Sequence, residues 1–421
     1  MNRLLVLAGS ASLAALMASS AYAATSLTMW YHGAGNPEER KIVLGVIDDF
    51  NKSQSDWKID LEEFPQAAYN DSVTAAALAH KLPDILDMDG PNMPNWAWSG
   101  YLQPLPISED KLKTFLPGAI GKWQGKLYSV GLWDAALAMF ARKSVLEEAG
   151  IRIPTLDKPW TGAEFDDALV KLQKGGKFEY PLDLGMNARG EWYPYAFSPF
   201  LQSFGGDLVD RKTYLTADGV LNGDDAIKWG KWWQSVFQRK LAPGTSETPA
   251  DQTNGFLDGK FALQWSGCWN AVAAYKKFGD DMLFLPAPDF GHGPKIGAAS
   301  WQFGISSESK HPDGAAAFIQ FAIQDKYLAQ FSEVEGLIPA TSTAAAMTTN
   351  YKPGGPLAVF FDLSNKQGVL RPVTPAYAFI SPTFDKAAAD IANGASVEDT
   401  LDTAADAITA DIKKNDGYGF K

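Results

Sequence analysis

One cysteine, Cys268, stands in a chain of 421 residues. No intramolecular disulfide can form, and no cysteine pair exists to hold a metal. A lone thiol of this kind is expected to be a small buried hydrophobe. Histidine is nearly as scarce: His32, His80, His292 and His311 are all 4. None is spaced as in H-E-x-x-H, so no zinc site is expected. Basic runs are missing too, and the formal net charge is −12. Affinity for nucleic acid rests on neutralising phosphates with Lys and Arg, so that class is excluded, and a membrane-surface role with it.

The chain also lacks a P-loop and a G-x-S-x-G nucleophile elbow. The glycines from Gly291 to Gly297 have the wrong spacing for a dinucleotide site and read as a loop. Asp87-x-Asp89-Gly90 is too short for a calcium loop. No cofactor and no metal are therefore expected. Paired carboxylates are the one catalytic option left. Asp89, Asp134 and Glu191 are candidates for a glycoside hydrolase, but ionised carboxylates also bind sugar hydroxyls without catalysis.

Only the N-terminus carries a long apolar run. Arg3 supplies a positive start, Leu4 to Met17 is uncharged, and Ala21-Tyr22-Ala23 has the small-x-small pattern of a signal-peptide cleavage site. Cleavage is expected after Ala23, because the run is shorter than the ~20 residues of a span. No later stretch is long enough to cross a membrane, and no cysteine near the cleavage site could carry a lipid. The expectation is a soluble, exported protein.

What is present is ordinary globular material, 46% hydrophobic and 20% charged, long enough for two domains. The 14 Trp are many, so some should line a core or a site. Residues 26–31 alternate like a strand. Asn36, Pro37, Glu38 and Glu39 make a helix start, and Ile42, Val43, Val46, Ile47 and Phe50 follow at helical spacing. Strand patterns recur at 58–64 and 83–88, with an Ala-rich helix at 69–80 between them. This β-α-β-α-β order predicts a parallel sheet whose ligands bind at the C-terminal strand ends. Further on, 126–137 reads as extended, and 144–149, 161–174 and 224–240 as helices. Ser396 to Asp399 resembles a capping box ahead of an amphipathic helix. The Trp229, Trp232, Trp233 stripe reads as core.

Several of these segments together resemble the extracellular solute-binding proteins of the sugar-importing type, the family that includes maltose-binding protein. Residues 82–89 (LPDILDMD) and 98–105 (WSGYLQPL) are similar to its "PD-apolar … G-x-L-x-P-L" block. Residues 125–151, 159–165 (PWTGAEF), 256–269 (FLDGKFALQWSGCW), 304–321 and 336–339 (GLIP) match later blocks in the family's order. Phe140, Ala141 and Arg142 depart from the usual Tyr-Asn, and Trp133-Asp134 is local to this chain. The resemblance covers nearly all of the chain after residue 23. It implies an α/β, two-lobed periplasmic-binding-protein fold of type II, with a ligand cleft between lobes joined by hinge strands. It implies that 24–132 and 301–336 build one lobe and 133–300 and 337–421 the other. The implied function is capture of a sugar, small glycoside or sugar derivative, neutral or anionic, and its delivery to the membrane permease of an ABC importer by a periplasmic, monomeric, non-enzymatic protein. A sugar sensor for a receptor shares the same fold and cleft.

The resemblance also implies site residues. Asp89 follows the 83–88 strand, Asp134 lies just past the first hinge, and Trp269 matches an aromatic that stacks on a sugar ring. Each has a plainer alternative: a turn residue for Asp89, a partnered buried acid for Asp134, core packing for Trp269. The residues themselves suggest others. His32 and Glu38 or Glu39 lie beyond the first strand, although helix-start chemistry explains the glutamates equally. Arg189, Glu191 and Trp192 form a polar-aromatic cluster in a loop. Trp301 lies near a hinge crossing. Arg371 sits between Leu370 and Pro372; buried, it needs either an acid partner or an anionic ligand.

Overall fold

The computed structural model describes residues 24–33, 37–244, 255–299 and 301–421. Residues 1–23, with the expected signal peptide, and the Asn36 helix cap lie outside these.

Strands β1 (Thr25–Tyr31), β2 (Trp57–Glu63), β3 (Ile85–Asp89), β4 (Leu102–Gln103), β5 (Ile120–Trp123) and β6 (Lys126–Gly131) enter a first sheet. Strands β7 (Trp133–Arg142), β8 (Tyr180–Asp183), β9 (Phe261–Gly267), β10 (Met282–Leu285) and β11 (Ile296–Ala299) enter a second. Strand β12 (Trp301–Ser306) returns to the first sheet, and β13 (Ile338–Pro339) and β14 (Gly368–Val369) join the second. The orders are β2-β1-β3-β12-β6-β5, with β4 on β12, and β14-β11-β7-β9-β8, with β10 and β13 on β7. Each sheet is the centre of one α/β lobe.

The chain passes between the lobes from β6 to β7 and back from β11 to β12. The two crossings lie side by side, since Gly131 pairs with Gln302 and Ala135 with Ala299. This explains where the expected parallel sheet stops. Strands β1, β2 and β3 are parallel, but β12 is antiparallel to β3. A strand arriving from the opposite lobe enters at the cleft end of the sheet. Its first residue, Trp301, therefore pairs with the last of β3, Asp89.

Helical faces follow the apolar spacing. Helix Pro37–Ser53 buries Ile42, Val43, Val46, Ile47 and Phe50. Helix Gly162–Lys174 is closed by a capping box, Thr161 with Glu164, and buries Phe165, Ala168, Leu169 and Leu172. In helix Val397–Lys414 the Ser396 side chain accepts from the Asp399 N–H, and Val397, Leu401, Ala404, Ile408 and Ile412 are buried. Trp229 and Trp233 are core in helix Asp224–Gln238, with Trp232 half-buried beside them. The expected 291–297 loop ends earlier, because Ile296 and Gly297 already pair with β14 as the start of β11; within it the Gly291 and Gly293 N–H groups donate to Asp289 Oδ1 at 2.8 and 2.9 Å. Among the described residues no helix is long and apolar enough to cross a membrane.

Candidate functional site

Strand β3 delivers Asp89 to the cleft because strand side chains alternate: Asp87 and Asp89 share a face, and Gly90-Pro91 then turn the chain away. Arg371 comes from the other lobe, on the segment between β14 and helix Tyr377–Ala392. The two meet fork to fork, Nη1 to Oδ2 at 2.9 Å and Nη2 to Oδ1 at 2.9 Å. The same Nη1 donates to Glu191 Oε1, at the start of helix Trp192–Phe204. Glu191 also accepts from the Tyr377 hydroxyl and, at 2.6 Å, from Ser381 Oγ. The guanidinium lies over the Tyr195 ring, 5.1 Å from its centre. Burial works against the Arg371 charge, but Asp89 and Glu191 outweigh it and raise its pKa well above the ordinary value. Burial pushes the Glu191 pKa up, against the pull of Arg371.

The second lobe adds an aromatic wall. Trp269 leaves β9 on a short turn, half-buried, 6.2 Å from both the Trp192 and Tyr195 rings. A Cβ on Gly267 would come within 2.0 Å of the Trp269 ring, so the ring rests on a backbone that only glycine leaves open. Asp134 is buried deeper. It accepts from Ser364 Oγ at 2.7 Å, and the Gly118 backbone of the first lobe seals it: a Cβ there would meet Asp134 Oδ1 at 2.7 Å.

On the first lobe His32 stacks on Trp301 with ring centres 3.4 Å apart and planes 9° apart. His32 Nδ1 is bonded to Asp87, and Nε2 lies 3.8 Å from Glu39. Glu39 also accepts from the Tyr31 hydroxyl. Glu38 is exposed in the same helical turn; the acid that turns inward is its neighbour. Arg189 is on the surface, in a two-bond pair with Asp385 at 3.0 and 2.8 Å, away from the other candidates.

Between the lobes lies a cavity of about 400 Å³. Gly90, Pro91 and Met93 line it from one side, Pro117, Gly118 and Gly121 from another, Gln302 from β12, and Leu370, Arg371 and Val373 from the second lobe. Gln302 is held by donating to the Gly118 carbonyl at 2.9 Å. Arg371 Nε is buried and makes no hydrogen bond among the described residues. The structure thus joins Asp89, Glu191, Trp192, Trp269 and Arg371 into one network, puts His32 and Trp301 beside the end of β3, and leaves Glu38 and Arg189 outside. Sequence reasoning missed Tyr195, Tyr377, Ser381 and Gln302. Three of these carried a signal: Tyr195 is one turn beyond Glu191, and Tyr377 and Ser381 are four residues apart on one helix face. No group of His, Cys, Asp and Glu among the described residues is arranged to hold a metal.

Two α/β lobes with a cavity between them, and a polar network beside it that joins the lobes, define a solute-binding protein with an interlobe cleft. The chain belongs to the bacterial extracellular solute-binding proteins, whose family pattern matches residues 45–353. Its fold is similar to that of the GacH receptor of Streptomyces glaucescens, solved unliganded and with acarbose, with a TM-score of 0.78, 22% identity and coverage of 94% of this chain and 100% of that one. It is 24% identical to the galactooligosaccharide-binding protein of Bacillus subtilis, over 78% of this chain and 76% of the relative. It is 22% identical to the sn-glycerol-3-phosphate-binding periplasmic protein UgpB of Agrobacterium fabrum, over 80% and 79%.

Proposed function

We propose that this chain is the periplasmic, monomeric substrate-binding component of an ABC importer, exported by the segment ending at Ala23, and that it captures a neutral polyhydroxylated solute for a membrane permease. A sugar, a small glycoside or a polyol fits. The carrying observation is the Arg371 network. An arginine in a cleft normally argues for an anionic ligand, but here two carboxylates from two lobes already balance its charge. An anion would have to displace Asp89 or Glu191 from the guanidinium, and Asp89 would then stay buried and unpaired. Trp192 and Trp269, half-buried against Tyr195, offer ring faces suited to the apolar face of a sugar. The relatives that bind a galactooligosaccharide and acarbose support a sugar; the glycerol-phosphate relative supports the anionic alternative.

The hydrolase reading loses its chemistry on the same network. Asp89 and Glu191 are tied to one guanidinium, and Asp134 lies sealed under Gly118. Thermal unfolding against neutral disaccharides, polyols and anionic sugars is the test. A ligand that binds only the folded state adds ~2.7 kcal/mol at a hundredfold excess over its Kd. A neutral solute should raise Tm without being broken down. A rise with anionic sugars alone would reject the neutral reading, and release of free sugar from a glycoside would reject capture.

A further inference from the structure

The cavity between the lobes is chemically unlike the network beside it. Asp89, Glu191, Trp192 and Trp269 do not line it. Its wall is built instead by Pro91, Met93, Pro94 and Pro117 of the first lobe with Leu370 and Val373 of the second. Each of the three prolines stands in the first two positions of a short helical turn: Gly90–Asn92, Met93–Trp98 and Pro117–Ala119. A pyrrolidine ring fixes its own backbone angle, so this part of the wall is rigid before anything binds.

The polar side chains on the wall are already committed. Gln302 donates through Nε2 to the Gly118 carbonyl at 2.9 Å, and its Oε1 accepts from Ser129 Oγ at 2.5 Å. Lys122 Nζ lies 2.9 Å from both carboxylate oxygens of Glu109. Arg371 gives its Nη atoms to Asp89 and Glu191, and its Nε is buried. A sugar ring placed here would leave its hydroxyls without side-chain partners. An apolar group would lose nothing. The size agrees: the cavity is about 400 Å³, whereas ~150 Å³ holds a benzene-sized ring. Arg371 connects this cavity to the aromatic residues. It lines the cavity, its guanidinium is 5.1 Å from the Tyr195 ring centre, and Tyr195 is 6.2 Å from Trp269.

We propose that the cavity is an aglycone subsite, taking the uncharged apolar group of a small glycoside whose sugar lies on Trp192 and Trp269. The inference rests on the capture reading above for the sugar and on the cavity itself for the aglycone. Calorimetry with matched methyl and phenyl glycosides of glucose, galactose and mannose tests it. In a pair that binds, the phenyl member should bind about tenfold to a hundredfold more tightly. With 13C-labelled methionine methyl groups, and the Met93 signal assigned by Met93→Leu, phenyl glycosides should shift that signal and methyl glycosides should not. Val373→Trp, at a position 37% exposed that accepts a larger side chain, should fill the cavity and erase both effects. Equal affinities within the pairs, or a Met93 signal that phenyl glycosides leave in place, would overturn the subsite while solute capture stands. Failure of all these glycosides and of their free sugars would reject the sugar half of the reading instead. Phenol alone then decides the cavity: a Met93 shift that Val373→Trp removes supports an apolar site, and no shift overturns it.

Discussion

Replacing Arg371 with alanine should destabilise this protein far more than loss of a surface charge. The side chain is only 6% exposed, and its two-bond pair with Asp89 and its bond to Glu191 cross the cleft. Without it, buried Asp89 and the half-buried Glu191 stay close together with no counter-charge. Breaking a buried pair from one side costs about 3–5 kcal/mol, and the contact with Tyr195 adds ~0.5–1 kcal/mol. Because total stability is usually ~5–15 kcal/mol, the variant should show a clearly lower urea midpoint at pH 7. The loss should also depend on pH. Burial already raises the Glu191 pKa, and removal of Arg371 raises it further. A carboxyl whose folded-state pKa lies above its unfolded value favours folding as pH falls, so the variant should recover part of its deficit in mild acid. Arg371→Lys, which keeps the charge but not the fork, should fall between the two. A deficit below ~1 kcal/mol that is flat with pH would refute the buried-pair reasoning.

Gly118→Ala places a Cβ 2.7 Å from Asp134 Oδ1, so it should force the lobes apart at the hinge side and cost ~1–3 kcal/mol, read by urea unfolding; an unchanged midpoint would show that the two lobes do not touch there. Burial pushes the Cys268 thiol up to about 12, so it should stay unreactive to a thiol reagent at pH 8 until the chain unfolds; rapid labelling of native protein would contradict its placement. Burial lowers the His32 pKa, but Asp87 and then Glu39 outweigh it, and the net shift is upward from 6.5. The stabilisation is therefore full below pH 6.5 and fades as pH rises through the folded-state value. An imidazole NMR titration should show a midpoint above 6.5, and one below it would remove the pair.

Much of this protein is written locally. Helix faces, the Thr161–Glu164 cap, the strand that carries Asp89 and the Trp229–Trp233 stripe depend on residues within a few positions of one another, where period and capping chemistry apply. The two lobes and their cleft were implied instead by the resemblance of the motifs, taken in order, to the solute-binding family. Sequence placed a glutamate at the mouth of the first strand but not which one, because Glu38 and Glu39 differ only in the rotation of their helix against Tyr31 and His32. It presented Arg189, Glu191 and Trp192 as one cluster; the fold sends Arg189 outward to Asp385 and the other two inward. Arg371 was recognisable as a charge in need of a partner, yet its partners are 282 and 180 residues away. Whether that charge awaited an anion or was already neutralised depends on two lobes meeting. Periodicity and capping act along the chain and can be read from it; charge balance across a cleft acts through space between distant segments, and only the tertiary structure decides it.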